Sequence, residues 1–204
     1  VIFFHLDIPF FNGGYVGVDI FFVISGYLIS SIILNDLKKN KFTLKNFYLR
    51  RIRRIIPILS FVILVSSFVS FFILLPYQLV DYSFSAISSI FFFSNFYFWQ
   101  YSGYFSPNSN TLPLLHTWSL SIEEQYYIIY PVILIIFLKY LNFQKFILIL
   151  FICLSLLSIL FGQFGGNLKF TYPYYEKNFL FFNQSFFASF YLPFGRIWEL
   201  LIGY

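Results

Sequence analysis

Charge is what this sequence has least of. Of its 204 residues 10% are charged, against 59% hydrophobic and 26% aromatic, and the mean hydropathy is +0.78. Such a composition excludes an ordinary water-soluble domain, whose surface needs more ionic side chains than this. Cysteine occurs once, as Cys153 inside an apolar run, so neither an intrachain disulfide nor a thiolate metal site can form. Methionine does not occur, even at position 1. The chain opens on Val-Ile-Phe-Phe and closes on Leu-Ile-Gly-Tyr, and is read as a fragment lacking both ends, so that a signal peptide cannot be judged. The apolar runs are continuous and do not alternate with period two, which excludes a β-barrel. There is no internal repeat, no metal-spaced ligand set and no Walker-type loop, and therefore no sign of ATP-driven transport.

What is present is a series of apolar runs, several of them as long as the roughly 20 residues a helix needs to cross a bilayer. The fold class expected is all-α, a multi-pass transmembrane helical bundle. Val1 to Ile8 is the tail of an opening helix ended by Pro9, and it carries His5. Phe11 to Tyr15 is a turn with Gly13-Gly14. A helix from Val16 to about Leu34 follows. Asp19 near its start suits the positive end of the helix dipole. Ser25 and Gly26 are small residues in a bulky run, which fits close helix packing or room for a substrate. The segment 36–54 holds eight of the thirteen basic residues and one acid, Asp36, for a net +7. By the positive-inside rule it faces the cytoplasm. The net charge of +5 is thus a topology signal and does not point to nucleic acid. Phe47 to Pro57 is predicted as an interfacial amphipathic helix with Tyr48, Ile52 and Ile55 on one face, anchored on lipid. Its four bases, Arg50, Arg51, Arg53 and Arg54, are all arginine, whereas the earlier bases of the segment are all lysine. Arginine grips phosphate bidentately, and Arg51-x-x-Arg54 could clamp a diphosphate.

Ile58 to Leu75 is predicted as the next span, closed by Pro76. If it runs outward and the helix over 119–138 runs inward, residues 82–101 cannot cross once and must be re-entrant or surface-lying. Pro131 should kink the helix that holds it, 139–145 is a short loop, 146–161 spans again, and 162–190 is an outer loop. Arg196 and Glu199, spaced i, i+3, are expected to pair.

The most polar stretch is Leu115 to Tyr127, with His116, Trp118, Ser119, Ser121, Glu123, Glu124 and Gln125 directly before an apolar run. One reading is a helix cap, since Ser121-x-x-Glu124 fits a capping box. The other is a functional site, since polar groups in a membrane helix must face protein or a cavity. His116 and Glu123 stand two helical turns apart and share a face if the helix starts early. His5, an ionisable residue on an apolar helix end, is the second candidate.

Four stretches, in order, resemble the membrane-bound acyltransferase family 3, the bacterial cell-surface O-acyltransferases. They are His5 followed by Gly17-Val18-Asp19-Ile20-Phe21-Phe22-Val23-Ile24-Ser25-Gly26-Tyr27-Leu28-Ile29; Phe47-Tyr48-x-Arg50-Arg51-x-x-Arg54-Ile55-x-Pro57; Leu115-His116-Thr117-Trp118-Ser119-Leu120-Ser121-x-Glu123-Glu124-Gln125-Tyr126-Tyr127; and Arg196-x-Trp198-Glu199-Leu200-Leu201-x-Gly203. The resemblance covers nearly the whole chain. It implies a fold of about ten membrane helices, of which this chain would hold about six to seven segments as a single transmembrane acyltransferase domain over 1–204. It implies transfer of an acyl group, acetyl first of all, from cytoplasmic acyl-CoA to a hydroxyl of an extracytoplasmic envelope glycan such as O-antigen, peptidoglycan or exopolysaccharide, at the bacterial inner membrane. Acyl-CoA is then a co-substrate, and no bound cofactor or metal is expected. His5 and Glu123 would be catalytic, and Arg50, Arg51 and Arg54 would bind the donor. Asp19, Ser25, His116, Trp118, Ser119 and Glu124 would support the substrate site. The family's histidine follows an arginine further back on its helix, a position that lies before Val1. Two rival readings are kept: a glycan flippase or proton-coupled transporter, which would also carry intramembrane His and Glu, and a non-catalytic membrane scaffold.

Overall fold

The computed structural model describes residues 4, 10, 13–101, 112–140, 144–164 and 185–204. The elements there are helices: α1 (Val16–Lys38), α2 (Leu44–Ile73), α3 (Pro76–Ile90), α4 (Ser94–Tyr101), α5 (Thr117–Ile135), α6 (Gln144–Phe164), α7 (Ser185–Tyr191) and α8 (Pro193–Ile202). The all-α membrane bundle expected from composition is what forms. Four helical stretches among the described residues are long and apolar enough to cross a bilayer: 16–38, 44–73, 117–138 and 146–163. Phe61, Phe68 and Phe72 on α2 are 67%, 69% and 70% exposed, as suits a helix whose outer face meets lipid rather than water. The chain is a membrane protein.

The α1–α2 connection is tight for a local reason. Asn40 takes a left-handed φ of 52°, which Asn tolerates better than most residues. Its N–H bonds Leu37 O at 3.0 Å and Lys41 N–H bonds Asp36 O at 2.9 Å, the paired bonds of a Schellman stop. The basic segment is therefore mostly helix. Here the structure corrects the expectation of a separate interfacial helix before a span starting at Ile58. α2 is one helix of 30 residues that runs through Pro57, about 45 Å long by its rise and thus longer than the hydrocarbon layer. The face expected to meet lipid does so only in part, since Tyr48 OH turns to Ile128 O of α5 at 2.8 Å. Ile52 is 52% exposed, whereas Phe47 is buried and Arg51 half-buried. Loss of one hydrogen bond at Pro57 can be tolerated where Arg50–Arg54 already lead the helix toward a polar layer.

Residues 82–101 divide between α3 and α4, helices of 15 and 8 residues that are each too short to span. This accords with the parity expectation of something other than a single crossing. The break is a second Schellman stop: Phe93 N–H to Ser88 O at 2.8 Å, with Phe92 at φ 57°. A bulky residue in that conformation is uncommon. Its carbonyl is fixed by Gln125 Nε2 at 2.7 Å, from the polar stretch of α5. α5 passes through Pro131 and continues as a π-helical turn over Ile136–Tyr140, where a short loop was expected from Lys139.

α8 packs against α1 and α6. A Cβ on Gly26 would meet Leu200 O at 1.9 Å, and one on Gly203 would meet Val23 O at 2.4 Å. Gly26 thus serves close packing, and backbone occupies the room a substrate would have needed.

Candidate functional site

α5 opens at Thr117, with His116 in the N-cap place and no side-chain cap. The capping-box reading therefore fails, because Ser121 and Glu124 lie a full turn inside the helix. Ser121 instead bonds Ser94 Oγ at 2.7 Å, and Glu124 is 8% exposed. The shared face for His116 and Glu123 also fails. His116 is exposed in the turn before α5, whereas Glu123 is buried at 7% exposure.

Glu123 is the centre of the arrangement. Ser25 Oγ of α1 donates to Glu123 Oε1 at 2.5 Å, and Tyr127 OH, one turn along α5, donates to the same oxygen. Among the described residues Glu123 Oε2 accepts no hydrogen bond. Tyr127 has a second contact: the Arg51 guanidinium carbon lies 5.0 Å from its ring centroid and 5.8 Å from that of Phe47. A cation at that distance is held by the ring's negative face. The same arginine acts electrostatically on Glu124, whose Oε1 is buried with no hydrogen bond among the described residues. Ser25, Glu123, Tyr127 and Arg51 thus come together from α1, α5 and α2. Two features that the sequence kept apart, the arginine cluster and the acidic motif, meet in one place.

The other arginines do not join them. Arg50 Nη2 reaches Asp36 Oδ2 at 3.2 Å, an exposed pair of small energetic weight. Arg54 is exposed, one turn beyond Arg51.

A second cluster lies between the start of α1 and α8. Arg196 Nη1 is 2.7 Å from Asp19 Oδ1 and 2.7 Å from Glu199 Oε1, so the expected i, i+3 pair forms and Asp19 joins it from across the bundle. Trp118 is buried against Phe190, 4.6 Å between ring centroids, and the Arg196 guanidinium stands over both rings. Trp118 and Asp19 therefore belong to this ion cluster rather than to Glu123. Ser119 Oγ bonds back to His116 O at 3.1 Å, a local helix contact. His5 lies outside the described residues.

The sequence reading gave no role to Tyr127, Tyr130, Ser30, Asn95 or Ser94. Tyr130 OH and Ser30 Oγ are 2.5 Å apart, and Gln125 Nε2 donates to Asn95 Oδ1 at 2.9 Å. Glu123-x-x-x-Tyr127 is an i, i+4 pair on one helix face, and that spacing was the available signal. No group of three or more His, Cys, Asp or Glu gathers as a metal site among the described residues.

A family profile described as an acyltransferase domain matches residues 1–203. The chain is 43% identical over 160 residues to "Peptidoglycan O-acetyltransferase OatA" of Listeria monocytogenes, an alignment of 78% of this chain and 26% of that protein. It is 43% identical over 143 residues to an uncharacterized protein of Haemophilus influenzae, 70% of this chain and 58% of that protein. It is 42% identical over 142 residues to "Putative peptidoglycan O-acetyltransferase YrhL" of Bacillus subtilis, 67% of this chain and 22% of that protein. The chain thus spans about a quarter of the length of the two named acetyltransferases. No solved structure matches it.

Proposed function

The chain belongs to the membrane-bound acyltransferase family 3, and from that premise we propose that it is part of a transmembrane O-acyltransferase of the bacterial inner membrane. The donor is cytoplasmic acyl-CoA, acetyl-CoA first, and the acceptor is a hydroxyl of an envelope glycan. Peptidoglycan is the acceptor class to try first, because the relatives are named for it. The observation that supports the reading is the buried Glu123 carboxylate, bonded by Tyr127, whose ring carries the Arg51 guanidinium. A carboxylate in a membrane helix is costly, and two hydroxyls hold this one in place.

The chemistry is ester formation from a thioester. The acceptor oxygen attacks the thioester carbonyl, the carbon–sulfur bond breaks, and coenzyme A leaves as the thiol. The hydroxyl proton must go to a base, and neutral imidazole is suited to this near pH 7. His5 fills that role. Glu123 orients His5 or a donor group, as the third member of a triad does, and its Oε2 is the oxygen that Ser25 and Tyr127 leave available. Arg51 and Arg54 hold the donor phosphates, with Arg50 beside them.

The test uses the complete reading frame in nanodiscs with labelled acetyl-CoA and peptidoglycan strands. His5→Ala and Glu123→Gln should insert normally and lose label transfer by about 100-fold or more. Wild-type transfer rates in both variants would refute the assignment. Movement of glycan across the bilayer without label incorporation would favour the flippase reading instead.

A further inference from the structure

We propose that Tyr127 is a positioning residue with two separable jobs: its hydroxyl aims Glu123 and its ring seats Arg51. The inference rests on the acyltransferase reading above and adds to it a link between the donor-side cation and the carboxylate.

Three observations carry it. First, Tyr127 is buried at 4% exposure, so both its contacts are made away from solvent. Second, its hydroxyl donates to Glu123 Oε1, the oxygen that also accepts from Ser25 Oγ at 2.5 Å. Two donors from two helices on one oxygen fix the carboxylate's rotation. They also present Oε2 for another partner. Third, the Arg51 guanidinium lies over the Tyr127 ring at 5.0 Å. Among the described residues no acid comes within ion-pair distance of Arg51, which acts on Glu124 through space only and lies over the rings of Phe47 and Tyr127. A guanidinium held on an aromatic face keeps its planar fork of N–H donors available at the edges. A carboxylate partner would occupy that fork. Seated on rings, Arg51 remains free to take a bidentate oxyanion such as a donor phosphate.

Geometry alone does not demand tyrosine here. Phenylalanine would pack equally and seat the arginine, and leucine would fill much of the volume. Only tyrosine does both jobs, which makes them separable by substitution. Tyr127→Phe keeps the ring and removes the hydroxyl. Tyr127→Leu removes both.

The experiment measures kcat and the acetyl-CoA KM for both variants in the complete reading frame in nanodiscs, with thermal unfolding as a check on folding. Tyr127→Phe should lower kcat about tenfold, as loss of one bond to a charged group implies, and leave the acetyl-CoA KM within twofold. Tyr127→Leu should show the same kcat loss and a KM raised about three- to tenfold, the range expected for a lost cation–π seat. A merely structural role would change both constants together and follow the loss of thermal stability. Wild-type kcat in Tyr127→Phe would overturn the hydroxyl's part, and equal KM values in the two variants would overturn the ring's part. If Tyr127→Leu does not insert, Tyr127→Met replaces it, which also removes both ring and hydroxyl, and an acetyl-CoA KM there equal to that of Tyr127→Phe would overturn the ring's part. A wild-type protein that transfers nothing from acetyl-CoA would instead refute the functional reading itself.

Discussion

Replacing Arg196 by methionine should destabilise the fold by about 3–5 kcal/mol, with nearly all of the loss passing through one acid. Arg196 Nη1 lies 2.7 Å from both Asp19 Oδ1 and Glu199 Oε1, but the two carboxylates are not equivalent. The Asp19 side chain is 34% exposed, so its surroundings can solvate it when the arginine goes, and that half is worth about 1 kcal/mol at most. The Glu199 side chain is 0% exposed, and its Oε2 is buried with no hydrogen bond among the described residues. Without Arg196 its charge would stand uncompensated in the interior, which is the costly case. Methionine keeps much of the stem that lies against Trp118 and Phe190, so lost packing contributes little. An ordering follows. Asp19→Asn should be mild and Arg196→Met severe. Adding Glu199→Gln to Arg196→Met should recover more than half of the loss, because the buried charge is gone. Thermal unfolding of the wild type, Arg196→Met, Glu199→Gln and the double variant in one detergent forms the cycle that measures this, with Asp19→Asn read beside it. If the single and double variants are equally unstable, the cost lies in packing on the aromatic rings, and the buried-charge reasoning is refuted.

Gly26→Ala should cost about 1–3 kcal/mol, read in the same unfolding assay, because its Cβ would meet the Leu200 carbonyl at 1.9 Å and α1 and α8 must separate. A neutral result would show that α8 yields freely. A cysteine placed at Lys41, with Cys153 first replaced, should resist membrane-impermeant thiol reagents in intact cells, since short-loop Lys and Arg set orientation. Ready labelling would invert the topology and the side assigned to every motif. Arg51→Lys with Arg54→Lys keeps the charge and loses the planar forks, so acyl-CoA affinity should fall about tenfold or more while insertion stays normal. Unchanged affinity on acyl-CoA titration would leave lipid anchoring as the arginines' role.

The parts of this architecture that were legible in sequence are those set by local composition. The long apolar runs specify their own helices, and Arg196 and Glu199 pair because i, i+3 places them together. Element ends were less legible. Pro57 after an arginine cluster reads as a boundary, yet α2 runs through it, because a membrane helix can lose one hydrogen bond where polar groups are near. The stop at Phe92 has no sequence signal at all, since a bulky residue in a left-handed conformation is held by Gln125, 33 positions away. The site was half legible. Glu123 stood out as a carboxylate among apolar residues, but Ser25 meets it across 98 positions, and Arg51 read as a lipid or phosphate contact on its own. Nothing in the spacing of two distant segments says that they touch.

Six of the polar residues of α5 form two stripes, and the division separates what the fold explains from what it does not. Thr117, Ser121 and Gln125 recur every four residues and therefore share a face. Each meets α3, α4 or the break between them: Thr117 Oγ1 with Ser89 Oγ at 2.8 Å, Ser121 with Ser94, and Gln125 with Asn95 and Phe92 O. These are neutral bonds that pin two short helices unable to span alone, so their reason is architectural. Glu123, Tyr127 and Tyr130 lie on the other side, since Glu123 is turned about 200° from Ser121. They meet α1 and α2. Tyr130 with Ser30 is again a neutral bond. The Glu123 contact is different in kind. An apolar pair of similar volume in place of Ser25 and Glu123 would hold α1 to α5 at least as well, because a buried carboxylate must first be taken out of water. Stability therefore gives no reason for Glu123, nor for a guanidinium seated on rings beside it. A charge kept where the fold would do better without it calls for a reason in function, and the arrangement of Ser25, Tyr127 and Arg51 around Glu123 is where that reason should be sought.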